Sequence, residues 1–335
     1  MLPKISIGIF IIGLLSQNLQ GQDIILTVQG PIPASELGTT LIHEHILVDF
    51  IGADQTGYHR WDKKKVMQKV LPYLQEAQKL GVKSIFECTP AFLGRDPMLL
   101  YELSLKTGIR IITNTGYYGA RDNQHLPPHA FAETAAQLAE RWTEEFKNGI
   151  EDTDVRPGFI KIGVNSDSLS EMHAKLVRAA ALCHLKTGLS IACHTGPALP
   201  LFQEIEILKS EGVSPEALIW VHAQAEKDLQ KHVQAAQKGV WISLDGLGYN
   251  STQQHFEMIK NLKNHQLLHK VLISHDAGWY RPGEENGGQF TPYTAIFTEL
   301  IPLMKENGFT EEEIQQLLVL NPQKAFTVKI RSLKN

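Results

Sequence analysis

Residues 39–45 read Thr-Thr-Leu-Ile-His-Glu-His, a β-rich run that ends in two histidines separated by one residue. Because side chains two apart on a strand share a face, His43 and His45 are predicted to point together into the fold, with Glu44 pointing outward. Two imidazoles placed in this way can bind one ion such as Zn2+. The motif is weakly specific by itself, so its meaning depends on the ends of the other predicted strands.

Similar β-rich runs recur along the chain, separated by helix-like segments. The predicted strands are 39–45, 84–90, 110–116, 158–164, 189–195, 219–223, 240–246 and 271–277. The amphipathic segments between them include 63–80, 130–147, 171–186 and 228–238. Several of these helices end on Gly directly before the next strand. Eight β-then-α units predict a parallel TIM (β/α)8 barrel; a doubly wound open sheet is the alternative, but no Gly-x-Gly-x-x-Gly turn follows the first strand.

Polar residues interrupt the apolar runs near the carboxyl ends of several predicted strands. In a parallel barrel these ends form one face of the molecule, where catalytic sites lie. The residues predicted to meet there are His43, His45, Lys161, His194, His222 and Asp276. Together they predict a metal site far more strongly than the first motif does alone.

Lys161 lies within Gly-Phe-Ile-Lys-Ile-Gly, residues 158–163, where alternation places it on the face opposite the isoleucines. If the isoleucines pack against helices, the lysine enters the barrel, where an unpaired ammonium is very costly. A lysine that has lost its proton can bind carbon dioxide as a carbamate, whose two oxygens are enough to bridge two metal ions. The alternative is an ammonium paired with Asp276 or Glu87 in a metal-free core.

Other polar and aromatic residues near the strand ends have less definite roles. Asp245 either supports the site or caps its strand, and His275 is expected to face away from the site. Three aromatic residues after strands either line a pocket for an apolar substrate or pack structurally: Tyr118, Trp279 and Tyr280. The remaining histidines are interpreted as bystanders in loops and helices: His59, His125, His129, His173, His184, His232, His255, His265 and His269.

The composition is that of a globular protein without nucleic-acid-binding character. The 335 residues carry a net charge of −4, and 43% of them are hydrophobic. The three cysteines, Cys88, Cys183 and Cys193, are too few for a disulfide framework and are expected to be free. No nucleic-acid partner is therefore expected.

The N-terminus differs from the rest of the chain. Residues 1–21 combine Lys4, a short apolar run and a polar exit, which predicts a signal peptide and export to the periplasm or the medium. The apolar run is shorter than the ~20 residues of a membrane helix, so no stable membrane span is expected. A strand or helix of the fold is the alternative for this segment. Residues 22–335 are predicted to form a single barrel domain.

From about Gly38 to Val328, the sequence resembles the phosphotriesterase family of the amidohydrolase superfamily, including its lactonase branch. The segments that carry the resemblance are 40–45, 94–96, 160–162, 194–196, 221–222, 274–276 and the closing Asn-Pro-Gln-Lys-Ala-Phe at 321–326. The resemblance implies two divalent metal ions, zinc above all, with cobalt, manganese or iron as alternatives. His43, His45 and Asp276 would bind the more buried ion, and His194 and His222 the more exposed one.

The resemblance also implies catalytic roles for Lys161, Asp276 and Tyr118. Lys161, as N6-carboxylysine, and a hydroxide would bridge the ions, and Asp276 would take the proton of the hydroxide. Tyr118 falls where the lactonase branch carries a tyrosine. By contrast, Ala225 and Gly246 stand where phosphotriesterases proper carry a carboxylate and a histidine, and the arginine of the lactonase branch at the second position is also absent.

These observations predict hydrolysis of a carboxylic ester or a lactone, and hydrolysis of organophosphate triesters is the alternative. A metal-dependent nuclease or deaminase on a similar barrel is a further alternative, although such sites usually have glutamate or nothing at the position of Lys161. An exported metal-binding protein without catalysis is the non-enzymic interpretation. Family members often dimerise, so a homodimer is compatible with the resemblance.

Overall fold

Strands and helices alternate along the part of the chain that the computed structural model describes, residues 22–248 and 251–333. The predicted signal peptide, residues 1–21, lies outside these residues. The strands are β1 Ile24–Thr27, β2 Gly30–Pro33, β3 Thr40–Leu47, β4 Ser84–Glu87, β5 Arg110–Ile112, β6 Asn114–Thr115, β7 Phe159–Gly163, β8 Ile191–His194, β9 Leu218–Val221, β10 Trp241–Leu244, β11 Val271–Ile273 and β12 Ala277–Tyr280. The α-helices are α1 Lys63–Lys79, α2 Pro97–Thr107, α3 Pro128–Ala132, α4 Ala135–Asn148, α5 Glu171–Thr187, α6 Ala198–Ser210, α7 Leu229–Gln237, α8 Thr252–Asn264, α9 Ile301–Glu306, α10 Glu311–Gln315 and α11 Asn321–Phe326. None of the helices in these two ranges is both long and apolar enough to cross a membrane.

The strands from β3 to β12 pair in parallel and form the wall of the barrel. One sheet has the order β12-β3-β4-β5, and the other has the order β11-β10-β9-β8-β7-β6. Thr113 separates β5 from β6, and Ser274-His275-Asp276 separates β11 from β12, so each pair is one interrupted barrel strand. One half of each interrupted strand belongs to one sheet and the other half to the other sheet, so the two sheets join into the predicted (β/α)8 barrel. At the seam between β3 and the β11–β12 strand, the amide of Asp276 donates a hydrogen bond to the carbonyl of His43 at 3.0 Å.

Two apolar layers follow from the alternation of side chains along the strands. The inner cluster contains alternate strand residues, among them Ile42, Phe86, Ile112, Phe159, Ile219, Trp241 and Leu272. The outer cluster lies between strands and helices and includes Ile160 and Ile162. Phe326 of α11 stacks on Phe86 with ring centroids 3.8 Å apart, which helps to close the inner cluster. The opposite end of the barrel remains available for the site.

The predicted elements agree with these bounds to within a few residues, apart from one divided helix, the interruptions of the predicted strands 110–116 and 271–277, and one hairpin. The predicted helix 130–147 is divided into α3 and α4, because Thr134 and Gln137 form a capping box that starts a new helix. The predicted strand 271–277 breaks at Asp276, whose φ is 54°. The sequence interpretation also did not include the antiparallel hairpin of β1 and β2.

Candidate metal centre

A pocket lies at the carboxyl ends of the barrel strands. The polar residues that line it are His43, His45, Tyr118, Lys161, His194, His222 and Asp276. All of the residues predicted to hold metal ions, together with Tyr118, are thus brought to one place from β3, β7, β8 and the segments that follow β6, β9 and β11.

His43, His45 and Asp276 converge within the pocket. Asp276 Oδ1 lies 3.0 Å from His45 Nε2 and 3.6 Å from His43 Nε2. Despite the short distances, Oδ1 is buried and accepts no well-directed hydrogen bond. Two imidazole nitrogens and a carboxylate oxygen that converge in this way are ligands suited to a divalent ion.

Asp245 supports two of these imidazoles from behind. Its Oδ2 lies 3.0 Å from His43 Nδ1, and its Oδ1 lies 2.7 Å from His222 Nδ1. Ser243 Oγ and Gln224 Nε2 donate further hydrogen bonds to the same carboxylate, at 2.6 and 3.2 Å. With both Nδ1 atoms occupied, the Nε2 atoms are left for the pocket. Of the two roles considered for Asp245, the structure supports the first, which is support of the site.

The electrostatics of this group follow from the same contacts. Burial alone would raise the pKa of Asp245, but His222 and His43 hold this pKa well below its usual range. Burial likewise opposes protonation of His222, but Asp245 raises its pKa. Burial, followed by the charge of Lys161, lowers the pKa of His43 to about 4, and burial with His222 lowers the pKa of His194 well below 6.5. His43 and His194 are therefore neutral at pH 7, as metal ligands must be.

Lys161 is 2% exposed, and its Nζ has no hydrogen-bond partner among the described residues. Ile160 and Ile162 pack in the outer cluster, so the lysine faces the pocket, as alternation predicts. Within the described ranges it forms no ion pair with Asp276 or Glu87, which was the alternative considered from the sequence. A long cationic side chain buried without a partner is very unfavourable unless something else compensates it.

Two buried strand residues, Glu87 of β4 and Glu44 of β3, support the site, and the sequence interpretation missed their contacts. Glu87 accepts a hydrogen bond from Thr89 Oγ1 at 2.6 Å, and this hydroxyl lies 2.8 Å from His45 Nδ1. Because the hydroxyl gives its one hydrogen to Glu87, it accepts from Nδ1, which leaves Nε2 of His45 with a free lone pair. A glutamate at the end of the apolar run Ser-Ile-Phe-Glu is the sequence signal that could have indicated this role.

Glu44 organises the break in the eighth strand. Its carboxylate accepts hydrogen bonds from the amides of His275 and Ala277 at 3.1 and 2.9 Å, and from Ser274 Oγ at 2.8 Å. It also lies 2.6 Å from His275 Nδ1, so His275 faces away from the pocket as expected. By holding the residues on both sides of Asp276, Glu44 stabilises the left-handed backbone that turns this carboxylate into the pocket.

Tyr118 and Trp279 line the pocket, whereas Tyr280 does not. The Tyr118 hydroxyl lies 3.3 Å from His194 Nε2 and 3.4 Å from its Nδ1. Gly163 makes room for this ring, since a Cβ there would lie 2.6 Å from Tyr118 Cδ2. Tyr280 is 7% exposed and packs in the outer cluster, so its role is structural.

Gln224 occupies the space beside the two positions that depart from the phosphotriesterase pattern. A Cβ on Gly246 would lie 2.6 Å from Gln224 Nε2, so the glutamine takes the room that a side chain at position 246 would need. Gln224 also accepts a hydrogen bond from the amide of Asp245 at 3.2 Å. Where the phosphotriesterase pattern has a carboxylate and an imidazole, this chain therefore has Ala225, Gly246 and the Gln224 amide, which contacts Asp245.

Sequence comparisons show which known proteins the chain is similar to. The sequence profile of the phosphotriesterase family matches residues 24–326. The phosphotriesterase homology protein of Escherichia coli is 26% identical, with 86% of this chain and 98% of that protein covered. The aryldialkylphosphatase of Saccharolobus solfataricus is 28% identical, with coverage of 88% and 97%. The N-acetyltaurine hydrolase of Dictyostelium discoideum is 24% identical, with coverage of 91% and 98%.

Proposed function

The chain belongs to the phosphotriesterase family, and from this premise we propose that it hydrolyses carboxylic esters or lactones with the help of two divalent metal ions. Relatives in the family are hydrolases, and the family is binuclear and metal-dependent. The observation that carries the proposal is the buried Nζ of Lys161, which has no hydrogen-bond partner in the described part of the chain and lies in a pocket lined by four histidines and a carboxylate.

The donor set fits a pair of ions. We propose that His43, His45 and Asp276 hold one ion and that His194 and His222 hold the other. Lys161 would bridge them as N6-carboxylysine, which converts a costly buried ammonium into an anion between cations. When bound, such ions would lower the pKa of a bound water toward ~7 and would polarise the substrate oxygen. Zinc is the expected ion, with cobalt, manganese or iron as alternatives.

Asp276 is proposed to move the proton during hydrolysis. Burial opposes ionisation of this carboxyl, but His43, His45 and His222 hold its pKa below the usual range, so it is ionised at neutral pH. It can therefore accept a proton from the attacking water and return it to the leaving alkoxide. Burial raises the pKa of Tyr118, so its hydroxyl stays protonated and can donate a hydrogen bond to the substrate beside His194.

Two departures from the phosphotriesterase pattern favour a lactone over a phosphotriester. Ala225 and Gly246 offer no ionisable group that could carry a proton away from Asp276. In a lactone the leaving alkoxide stays attached and close to this carboxyl, so it can take the proton directly. The second candidate is organophosphate triester hydrolysis, which is supported by the 28% identity to an aryldialkylphosphatase.

A substrate panel tests the proposal. Purified protein loaded with zinc or cobalt is assayed on lactones, carboxylic esters, paraoxon and N-acyl amides. We expect kcat/KM for the best lactone or ester to exceed that for paraoxon at least tenfold. Fast triester turnover without ester or lactone turnover would make triester hydrolysis the preferred function. Tight metal binding without any turnover would refute the proposal that the protein is an enzyme.

Lys161→Met tests the bridging lysine. We expect the variant to bind fewer than two ions per chain and to lose most of the activity, because the bridging anion is gone. In the wild-type protein, labelled bicarbonate should give a carbamate signal in carbon NMR that the variant lacks. Full activity in Lys161→Glu would instead favour the nuclease or deaminase interpretation.

Export remains part of the proposal. We propose that residues 1–21 direct the chain out of the cytoplasm and are then removed. Cell fractionation followed by N-terminal sequencing checks this, and an intact Met1 in a cytoplasmic fraction would contradict it.

A further inference from the structure

Arg121 lies in the loop that follows β6, at the outer edge of the pocket. Its guanidinium stacks on the ring of Phe50, with Cζ 4.0 Å from the ring centroid. Phe50 lines the pocket, and its ring lies 5.5 Å from Trp279, which in turn lies 5.1 Å from His45. Successive ring contacts thus connect the guanidinium to the candidate metal ligands, and a substrate at those ligands would extend toward Arg121.

The charge of Arg121 is not neutralised within the described residues. The side chain is exposed, and no described carboxylate lies within ion-pair distance of it. The acidic residues nearby are engaged with other groups. Asp49 holds Arg60 through two hydrogen bonds of 3.0 and 3.2 Å, and Asp122 accepts a hydrogen bond from Asn165 at 2.8 Å. The donors of the guanidinium are therefore free to bind an anion.

His125 adds no positive charge to this wall of the pocket at neutral pH. His125 packs against Phe50 and Tyr118, with ring centroids 5.5 and 5.9 Å away. Burial, and then the charge of Arg121, lower the pKa of His125 to about 4, so it is neutral at pH 7.

The backbone around Arg121 is held in an unfavourable conformation. Arg121, Asp122 and Asn123 all have left-handed φ angles of 57, 57 and 64°. Such conformations are costly for residues with a Cβ and persist where the surroundings impose them, often at ligand sites. The amide of Ala53 donates to the carbonyl of Gln124 at 3.0 Å and joins this loop to the loop that carries Phe50. The loop that carries Arg121 is therefore joined through the backbone to the loop that carries Phe50.

We infer that Arg121 binds an anionic group of the substrate, and that the preferred substrates are esters or lactones that carry a carboxylate or another negative group distant from the scissile bond. The inference rests on the proposed function and narrows its substrate class. The scissile group would lie at the metal ligands, the apolar chain would contact Phe50 and Trp279, and the anion would meet the guanidinium. Aromatic walls with one unpaired cation at the end fit such an amphiphilic molecule better than a wholly apolar one.

A matched pair of esters tests this inference. 4-Nitrophenyl hydrogen glutarate carries a carboxylate, and 4-nitrophenyl methyl glutarate does not, so the ratio of their kcat/KM values measures the preference for the anion. We expect Arg121→Gln to lower this ratio at least tenfold, mainly through KM, and Arg121→Lys to retain most of it. The wild-type preference should also weaken as salt rises from about 0.01 to 0.15 M, where the screening length falls from about 30 to 8 Å.

Arg281→Gln is the matched control on the same rim. Arg281 lies 5.8 Å from the ring of Trp279, but it already pairs with Glu284 at 3.7 Å. We expect the ratio of the two kcat/KM values in Arg281→Gln to equal that in the wild type. An Arg121→Gln ratio within twofold of the wild type would overturn the inference. An equal fall in both variants would also overturn it, because the preference would then reflect the general charge of the rim.

A binding measurement separates this inference from the proposed function. 4-(4-Nitrophenoxy)butanoate and 4-(4-nitrophenoxy)butan-1-ol are ethers that the enzyme cannot hydrolyse, and quenching of tryptophan fluorescence reports their affinity. Tighter butanoate binding that depends on Arg121, without turnover of any ester, would overturn the proposed function and support the anion site. If the enzyme hydrolyses esters but its preference for the butanoate over the butanol does not depend on Arg121, only the proposed anion site would be overturned.

Discussion

Asp245→Asn is expected to weaken metal binding without removing any of the proposed ligands. The carboxylate now accepts hydrogen bonds from His43 Nδ1 at 3.0 Å and from His222 Nδ1 at 2.7 Å. Asparagine offers one accepting oxygen and an NH2 group that cannot accept, so one imidazole loses its partner. A hydrogen bond to a charged group contributes about 1.5–3 kcal/mol, which corresponds to a roughly 10- to 100-fold loss of affinity for zinc.

Competition with a chelator measures this change as the Kd for zinc. Ser243→Ala is the matched control, because it removes only the 2.6 Å hydrogen bond from Ser243 Oγ to the carboxylate and keeps both imidazole contacts. Its Kd should change by less than about tenfold. An Asp245→Asn protein with the zinc affinity of the wild type would refute the reasoning, since the two imidazoles would then not depend on this carboxylate for their orientation.

Two further predictions concern buried groups near the barrel strands. Burial raises the pKa of Glu204 from 4.5 to about 8, so the folded state holds a proton that the unfolded state releases, and the free energy of unfolding should fall as pH rises from 4.5 to 8. Glu204→Gln mimics the neutral acid, so its free energy of unfolding should fall less than that of the wild type over this pH range. The difference should be several kcal/mol, at about 1.4 kcal/mol per pKa unit. Urea unfolding at several pH values measures it, and the same pH dependence in both proteins would contradict the prediction. Gly116→Ala should lower stability by more than about 2 kcal/mol, because φ is 111° and the new Cβ would lie 2.2 Å from the Lys161 carbonyl oxygen. Gly81→Ala is its control in thermal unfolding, since φ is 97° there but no atom lies within 4 Å, and an equal loss of Tm in both variants would show that the close contact is unimportant.

The sequence was sufficient for the barrel and for the inward direction of Lys161, because both follow from local alternation. Ile160 and Ile162 indicate the outer face of β7 directly, and the glycines that end the helices indicate where strands begin. The capping box of Thr134 and Gln137 was also readable, but the helical period that continues across it favoured one long helix.

The contacts that orient the site could not be predicted in the same way, because they join distant parts of the chain. Glu44 and His275 are separated by 231 positions, and His43 and Asp245 by 202. No periodicity relates such pairs, and each depends on the stagger of strands around the barrel. The sequence therefore indicated which residues meet, whereas the tautomers and the paired carboxylates behind them required the structure.

The seam between the first and eighth barrel strands is held in part by a side chain. Between β11 and β12 the backbone ladder is interrupted, and the carboxylate of Glu44 takes over by binding the amides of His275 and Ala277. The contacts that close the barrel between its first and eighth strands therefore also position Asp276. Any local opening of this seam would misalign Asp276 before the rest of the barrel loosens, so loss of catalysis should precede loss of the fold under mild denaturation.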